Sequence, residues 1–352
     1  MTTGIERVRA TLSGKPAAHV PICPILHTMS TRLLGCSIGE YATNPRLMAD
    51  CVLAAYRAFG YDGIQLSLGV AAEAEALGSR THQPEDGLPA VVAPLLQCPA
   101  DLTALRLPNP ERDGRLGMFA EAVAHVSAAV GREAWIIATL RGPLLMATQL
   151  RGIEHMLIDL IERPAWAQEL FAFTTQVGIV CGRALLQAGA HAIAIGEATS
   201  SPEFISPAMY RQHVADHQRQ LVEGLHAAGC ETTIMHICGQ TEPIIPDVAA
   251  TGTDVMDIDW QVDPARALEL AGPRMALRGN IDPVGALLDG TPELVEQRVN
   301  ELLTRVAGRG RLLLSSGCDV PPNTPPENIR ALVQAGRRFQ DLARSTTNNT
   351  QP

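Results

Sequence analysis

The 352-residue chain is 46% hydrophobic but only 4% aromatic, and its 30 Gly and 25 Pro suit many short connections between small helices and strands. Its net charge is −9 and its 28 basic residues form no long run, which excludes the electrostatic footprint of nucleic-acid binding. Residues 1–10 carry Glu6, Arg7 and Arg9 without the apolar centre of a signal peptide, and no stretch reads as the ~18 apolar residues of a membrane span, so a cytoplasmic protein off the membrane is expected.

Taken in order, short apolar runs at 20–26, 63–68, 135–140, 192–196, 232–237, 255–258, 275–278 and 311–315 read as strands. Amphipathic stretches at 44–59, 116–130, 165–188, 207–228, 264–270, 292–306 and 326–340 read as helices between or after them. The last three open with Pro in or near the first turn, where a missing amide costs nothing. Strand–helix alternation implies right-handed crossovers and a parallel sheet. Eight such strands predict an α/β fold closed into a (β/α)₈ TIM barrel over residues 1–345. The alternative, an open doubly wound sheet, lacks its nucleotide fingerprint, because no GxGxxG follows an early strand and no GxxxxGK[ST] occurs. The Pro- and charge-rich stretch 70–113 reads as an insertion after the second run, placed to cover the barrel mouth. The polar tail 346–352 reads as disordered.

Eight cysteines lie at irregular spacing, unlike the framework of a small secreted domain, and Cys51 and Cys181 fall inside helices as small hydrophobes. Two others differ. In Met235-His236-Ile237-Cys238-Gly239 the period of two puts His236 and Cys238 on one face of a strand end. Cys318, in Ser315-Ser316-Gly317-Cys318, ends the last strand on the same C-terminal rim, where barrel active sites form. One imidazole and two thiolates are a zinc donor set. A lone HxC also fits a packed His and a buried Cys. The joint placement at two strand ends is what favours metal.

Other residues share that rim. Glu197, after the apolar run 193–195, is a candidate catalytic carboxylate that either closes the metal shell at rest or steadies a ligand; the plainer reading is a helix cap. Asn280 and Asp282 in Gly279-Asn280-Ile281-Asp282-Pro283, with Gln65 and Arg141, are candidate substrate contacts. Arg141, the charge nearest its strand end, suits an anionic head group. Asp282 also serves simply to turn the chain. Asp257 or Asp259 is placed to take the His236 ring nitrogen that does not face the metal.

The segments HICG (236–239), GNIDP (279–283), GEATSSPEFISP (196–207) and SSGCDVPPNTPPEN (315–328) resemble the uroporphyrinogen decarboxylase superfamily, in its zinc-dependent corrinoid:thiol methyltransferase branch. The resemblance covers residues 5–340. It implies a (β/α)₈ barrel, zinc held by His236, Cys238 and Cys318, a corrinoid (cobalamin) methyl carrier on a partner protein, and a small thiol of the coenzyme M type, or a pterin, as acceptor. The decarboxylases of this superfamily carry a basic Arg-Gln-Ala-Gly-Arg stretch near the N-terminus. Here the matching segment is Pro24-Ile25-Leu26-His27-Thr28-Met29-Ser30, with Arg32 as its one Arg, which speaks against a polycarboxylate tetrapyrrole substrate. Another zinc-dependent lyase or hydrolase on this barrel, or a non-enzymatic corrinoid- or thiol-binding protein, are the remaining readings.

Overall fold

The computed structural model describes residues 2–339, so the tail 346–352 lies outside the described residues. Seven strands form one sheet, each pair parallel: β1 Gly63–Leu66, β2 Trp135–Arg141, β3 Ala192–Gly196, β4 Thr232–His236, β5 Val255–Asp257, β6 Ala276–Ile281 and β7 Leu312–Ser316. They follow chain order around the sheet, as right-handed crossovers require. The sheet curls into the distorted barrel that the strand pattern predicts.

The first of the eight expected strands, 20–26, is reduced to a single parallel bridge, Ile22 to Leu314. Pro21 and Pro24 have no amide to give, so the segment cannot sustain a ladder. It still joins the sheet edges. Cys23 N donates to Leu314 O and Leu314 N to Pro21 O, both at 2.8 Å, while Asp62 N donates to Ile22 O at 2.7 Å. The Ile22 amide goes to the Asp62 carboxylate at 2.9 Å.

Inward-facing side chains divide the barrel into two halves. The lower half is apolar: Cys23, Trp135, Ile137, Ala192, Ala194, Ile234, Val255, Ala276 and Leu313 pack together, with Ile5 and Val8 of the helix Gly4–Leu12 against them. Two residues further along the same strands the inward positions become polar, which is where the site begins.

The helices fall close to expectation. Pro45–Phe59 is capped by Asn44, whose Oδ1 accepts from the amides of Arg46 and Leu47 at 3.1 Å. Among the helices not foreseen are Gly4–Leu12, Ile245–Ala250 and the pair Pro143–Arg151 and Ile153–Glu162, which follow β2 on the C-terminal side before Pro164–Gln187 returns. That 24-residue return helix is long and apolar enough to cross a membrane by length and composition, which corrects the reading that no stretch qualifies. It packs against β2, β3 and four neighbouring helices, so its hydropathy is that of a core helix.

The stretch 70–113 lies on the C-terminal side. Asp86 accepts from Arg32 at 3.0 Å, Leu96 N donates to Leu150 O at 2.9 Å, and Pro99 O accepts from Trp166 Nε1 at 3.2 Å.

Candidate metal centre

Strand register lines up one row of residues across the upper barrel. Arg141 pairs with Gly196, Gly196 with His236, His236 with Asp257 and Asp257 with Arg278. The row therefore reads cation, gap, imidazole, carboxylate, cation.

At its centre His236 Nδ1 meets Asp257 Oδ2 at 2.8 Å, which leaves Nε2 for other partners. Cys238 Sγ lies 3.2 Å and Cys318 Sγ 3.7 Å from that Nε2, and the two sulfurs are 3.6 Å apart. A disulfide would need about 2.05 Å. Sulfurs about 2.3 Å from a tetrahedral zinc sit roughly 3.8 Å from one another, so the spacing fits a shared metal. Among the described residues these three form the cluster able to chelate a metal, and all three are partly accessible. An ion held there would face the open barrel mouth.

The charges agree. The hydrogen bond from Cys318 lowers the Cys238 thiol to about 5 against its burial, with His236 helping, while the Cys318 thiol is pushed up by the same bond and by burial. Burial opposes a charged His236, but Cys238 and Asp257 outweigh it and raise its pKa. The cluster is built to hold positive charge.

Behind it, Arg278 grips Asp257 with two hydrogen bonds of 2.7 Å, and its side chain is 0% exposed. Burial alone would raise the Asp257 pKa; Arg278 and His236 reverse this and hold it at about 2. Sequence reasoning missed Arg278. The signal was a charged residue inside an apolar strand, two positions before Asn280 on the same face.

Of the two aspartates offered for His236, Asp257 takes the role. Asp259 fixes the turn after Cys238 instead, accepting from Gly239 N at 2.9 Å and Gln261 N at 3.1 Å. Asn280 spends its Nδ2 on the carbonyls of Asp259 and Val262, at 3.0 and 2.9 Å. Asp282 accepts from the amides of Val284 and Gly285 at 2.9 and 3.0 Å, the chain-turning role. Gln65 Nε2 donates to Thr139 Oγ1 at 3.2 Å, and its Oε1 is buried without a partner. A further mouth pair went unforeseen: His27 Nε2 lies 2.9 Å from Asp319 Oδ1, whose side chain is 53% exposed.

Glu197 is not brought to the metal cluster. Its carboxylate, fully buried, accepts from the amides of Leu144 and Leu145 at 3.0 and 3.2 Å and from Ser200 Oγ at 3.0 Å, capping the helix Pro143–Arg151. Gly142 leaves it room: a Cβ there would fall 2.3 Å from Glu197 Cγ. Burial raises Glu197 from 4.5 to about 7 in spite of these donors. A carboxyl whose folded pKa is raised costs stability as pH climbs from its unfolded value through its folded one. Relative to the wild type, Glu197→Gln should therefore gain about 3 kcal/mol between pH 4.5 and pH 7, at 1.36 kcal/mol per unit, whatever its absolute cost. Denaturant unfolding of both proteins across that range checks it, and parallel pH curves would refute it.

Residues 3–339 match the family described as Uroporphyrinogen decarboxylase (URO-D). The methylcobamide:CoM methyltransferase MtaA of Methanosarcina barkeri is 29% identical over 335 residues, covering 94% of this chain and 96% of that protein. A uroporphyrinogen decarboxylase of Trichlorobacter lovleyi is 26% identical over 314 residues, covering 86% and 88%. A solved methyltransferase from Methanosarcina mazei superimposes with a TM-score of 0.88 at 26% identity, covering 96% of this chain and 99% of that one. Family match, curled parallel sheet and rim cluster coincide over nearly the whole chain: it belongs to the uroporphyrinogen decarboxylase family.

Proposed function

We propose that this protein is a zinc-dependent methyltransferase that moves a methyl group between a corrinoid, carried by a partner protein, and a small thiol. The observation that carries the reading is the cluster of His236 Nε2, Cys238 Sγ and Cys318 Sγ, within reach of one ion and open to the mouth.

Zinc bound there would lower the pKa of a substrate thiol and hold it as thiolate, the nucleophilic form. His236, Cys238 and Cys318 would supply three ligands, and a tetrahedral shell leaves one position for the substrate. Asp257 holds Nδ1 so that Nε2 faces the cluster, and Arg278 holds Asp257. The thiolates of Cys238 and Cys318 would donate charge to such a metal, which would favour a nucleophilic bound sulfur over activation of water. A corrinoid on the partner would supply the methyl group: the S–C bond would form at the expense of the Co–C bond, whose electron pair cobalt would keep as Co(I), and the thiol proton would go to solvent.

The mouth speaks against tetrapyrrole decarboxylation. Arg32, the one Arg of the first segment, is partly exposed and paired with Asp86, so it gathers no basic cluster for many carboxylates. With its eight cysteines free, the chain suits a reducing cytoplasm.

The test mixes zinc-loaded protein with methylcobalamin, a panel of thiols and a reduced pterin, following cobalt absorbance and the methylated product. Co(I) formed together with a methylated thiol is the expected result. If no acceptor is methylated, from free methylcobalamin or from a corrinoid protein, another zinc-dependent reaction takes its place.

A further inference from the structure

Away from the metal centre, one other pair of cysteines among the described residues brings its sulfurs together. Cys36 Sγ and Cys51 Sγ lie 3.4 Å apart. That is contact between two free thiols, about 1.4 Å longer than a disulfide bond. Cys51 is fully buried on the inner face of the helix Pro45–Phe59. Cys36 is partly accessible, in the turn between the one-turn helices Thr31–Leu34 and Ile38–Tyr41. Gly35 makes that turn, ending the first helix with a φ of 66° that glycine adopts without strain. Cys36 itself is held lightly. Its amide donates to Thr31 O at 3.3 Å, and its thiol reaches the same carbonyl at 3.8 Å. A turn of this kind can carry its sulfur the short distance a bond needs, while Cys51 stays fixed in its helix.

The two thiols are unequal, and the difference orders their chemistry. Burial and the hydrogen bond with Cys36 push the Cys51 thiol up, so it is neither reachable from outside nor ionised near neutral pH. Cys36 is the sulfur that an external reagent meets first. The turn that carries it also belongs to the wall of the mouth. Thr31 Oγ1 donates to Thr28 O at 2.8 Å, one residue from His27, which meets Asp319. At the other end Tyr41, fully buried, directs its hydroxyl to Ser67 O, 3.5 Å away and just past β1.

We propose that Cys36 and Cys51 form a redox modification site, a dithiol that exchanges with small-molecule disulfides and, once closed, pins the segment Thr31 to Tyr41 onto the helix beneath it. Cys36, as thiolate, attacks one sulfur of the external disulfide, whose S–S bond breaks and releases one thiolate. Cys51 then attacks the Cys36 sulfur of the mixed disulfide, and the second small thiol leaves with the Cys51 proton. The pair gives up two electrons, which the external disulfide takes as it becomes two thiols. In a reducing compartment such a bond is transient, which suits a sensor of the disulfide-to-thiol ratio rather than a permanent staple. The site stands independently of the zinc–thiol reading.

The experiment treats zinc-loaded protein with glutathione disulfide, blocks the remaining thiols by alkylation and maps the tryptic peptides. Bound metal keeps its own ligands out of the exchange. Cys36 and Cys51 fall on the adjacent peptides 33–46 and 47–57, so their disulfide joins two fragments that dithiothreitol separates. In the wild type both thiols should be lost to alkylation together, the joined fragments should appear, and amide hydrogen exchange over 33–46 should slow until reductant is added. Cys51→Ala should stop at a glutathione adduct on Cys36, and Cys36→Ser should leave Cys51 unmodified. Cys36→Ser alters a partly accessible turn, so it keeps the test valid if Cys51→Ala does not fold. Wild-type protein in which both thiols remain alkylatable at excess glutathione disulfide overturns the proposal. So does an adduct on Cys36 that never resolves, a cross-link confined to other cysteines, or a closed pair whose exchange over 33–46 is unchanged.

Discussion

Cys318→Ser should strip the protein of zinc while leaving its fold intact. Zinc binding to a full set of His and Cys ligands is worth on the order of 10–16 kcal/mol, so losing one of three protein ligands should cost about 3–4 kcal/mol, or two to three orders of magnitude in affinity. A serine hydroxyl does not ionise near neutral pH and replaces a thiolate poorly. The fold should survive because Cys318 is partly accessible, lies just beyond β7, and has Cys238 and His236 as its sulfur's hydrogen-bond partners among the described residues. After dialysis against a mild chelator, metal analysis should find about one zinc per chain in the wild type and almost none in Cys318→Ser, with zinc-free thermal midpoints within a few degrees of each other. Cys238→Ser and His236→Ala should behave alike. Full occupancy in all three variants would remove the site.

Arg278→Met should be the most destabilising substitution in the upper barrel. The change deletes the cation but leaves Asp257, 3% exposed, buried without its counter-charge and paired with His236. Breaking a buried ion pair from one side costs about 3–5 kcal/mol, a large share of the total stability of a domain. Zinc affinity should fall as well, by about 10–100-fold, because Asp257 no longer has a fixed place from which to orient His236. The double variant Arg278→Met/Asp257→Leu separates the two effects. Replacing both partners with apolar groups should restore much of the stability but none of the zinc affinity. Equilibrium unfolding alongside chelator competition gives both numbers. A single variant as stable as the wild type would mean that Asp257 needs no counter-charge.

Much of this was legible in the sequence because a barrel strand advertises itself twice, by its apolar run and by the polar residue where the run ends. That is how the β4 and β7 ends, and with them His236, Cys238 and Cys318, stood out. The β3 boundaries, Ala192–Gly196, fell where the apolar run put them. The first segment misled because its hydrophobicity matches a strand, while hydrogen bonding is governed by amides that Pro21 and Pro24 lack. Arg278 was hidden by its strand: periodicity says which side a residue faces, not which carboxylate lies in register on the next strand. Glu197 does follow the end of β3, but its direction depends on the helix Pro143–Arg151, whose start after β2 no local pattern marked strongly. The hydropathy of Pro164–Gln187 reflects burial under neighbouring helices, which composition alone does not separate from burial in lipid.

The central claim is that zinc held by these three residues takes the acceptor's sulfur as a ligand. X-ray absorption at the zinc edge, recorded on the purified protein with and without 2-mercaptoethanesulfonate, measures this directly. Two sulfur neighbours and one imidazole should become three sulfurs and one imidazole when the thiol binds, with no change in Cys318→Ser reconstituted under the same conditions. A shell that keeps two sulfurs at saturating thiol would contradict the claim, and the metal would then have to serve some other reaction.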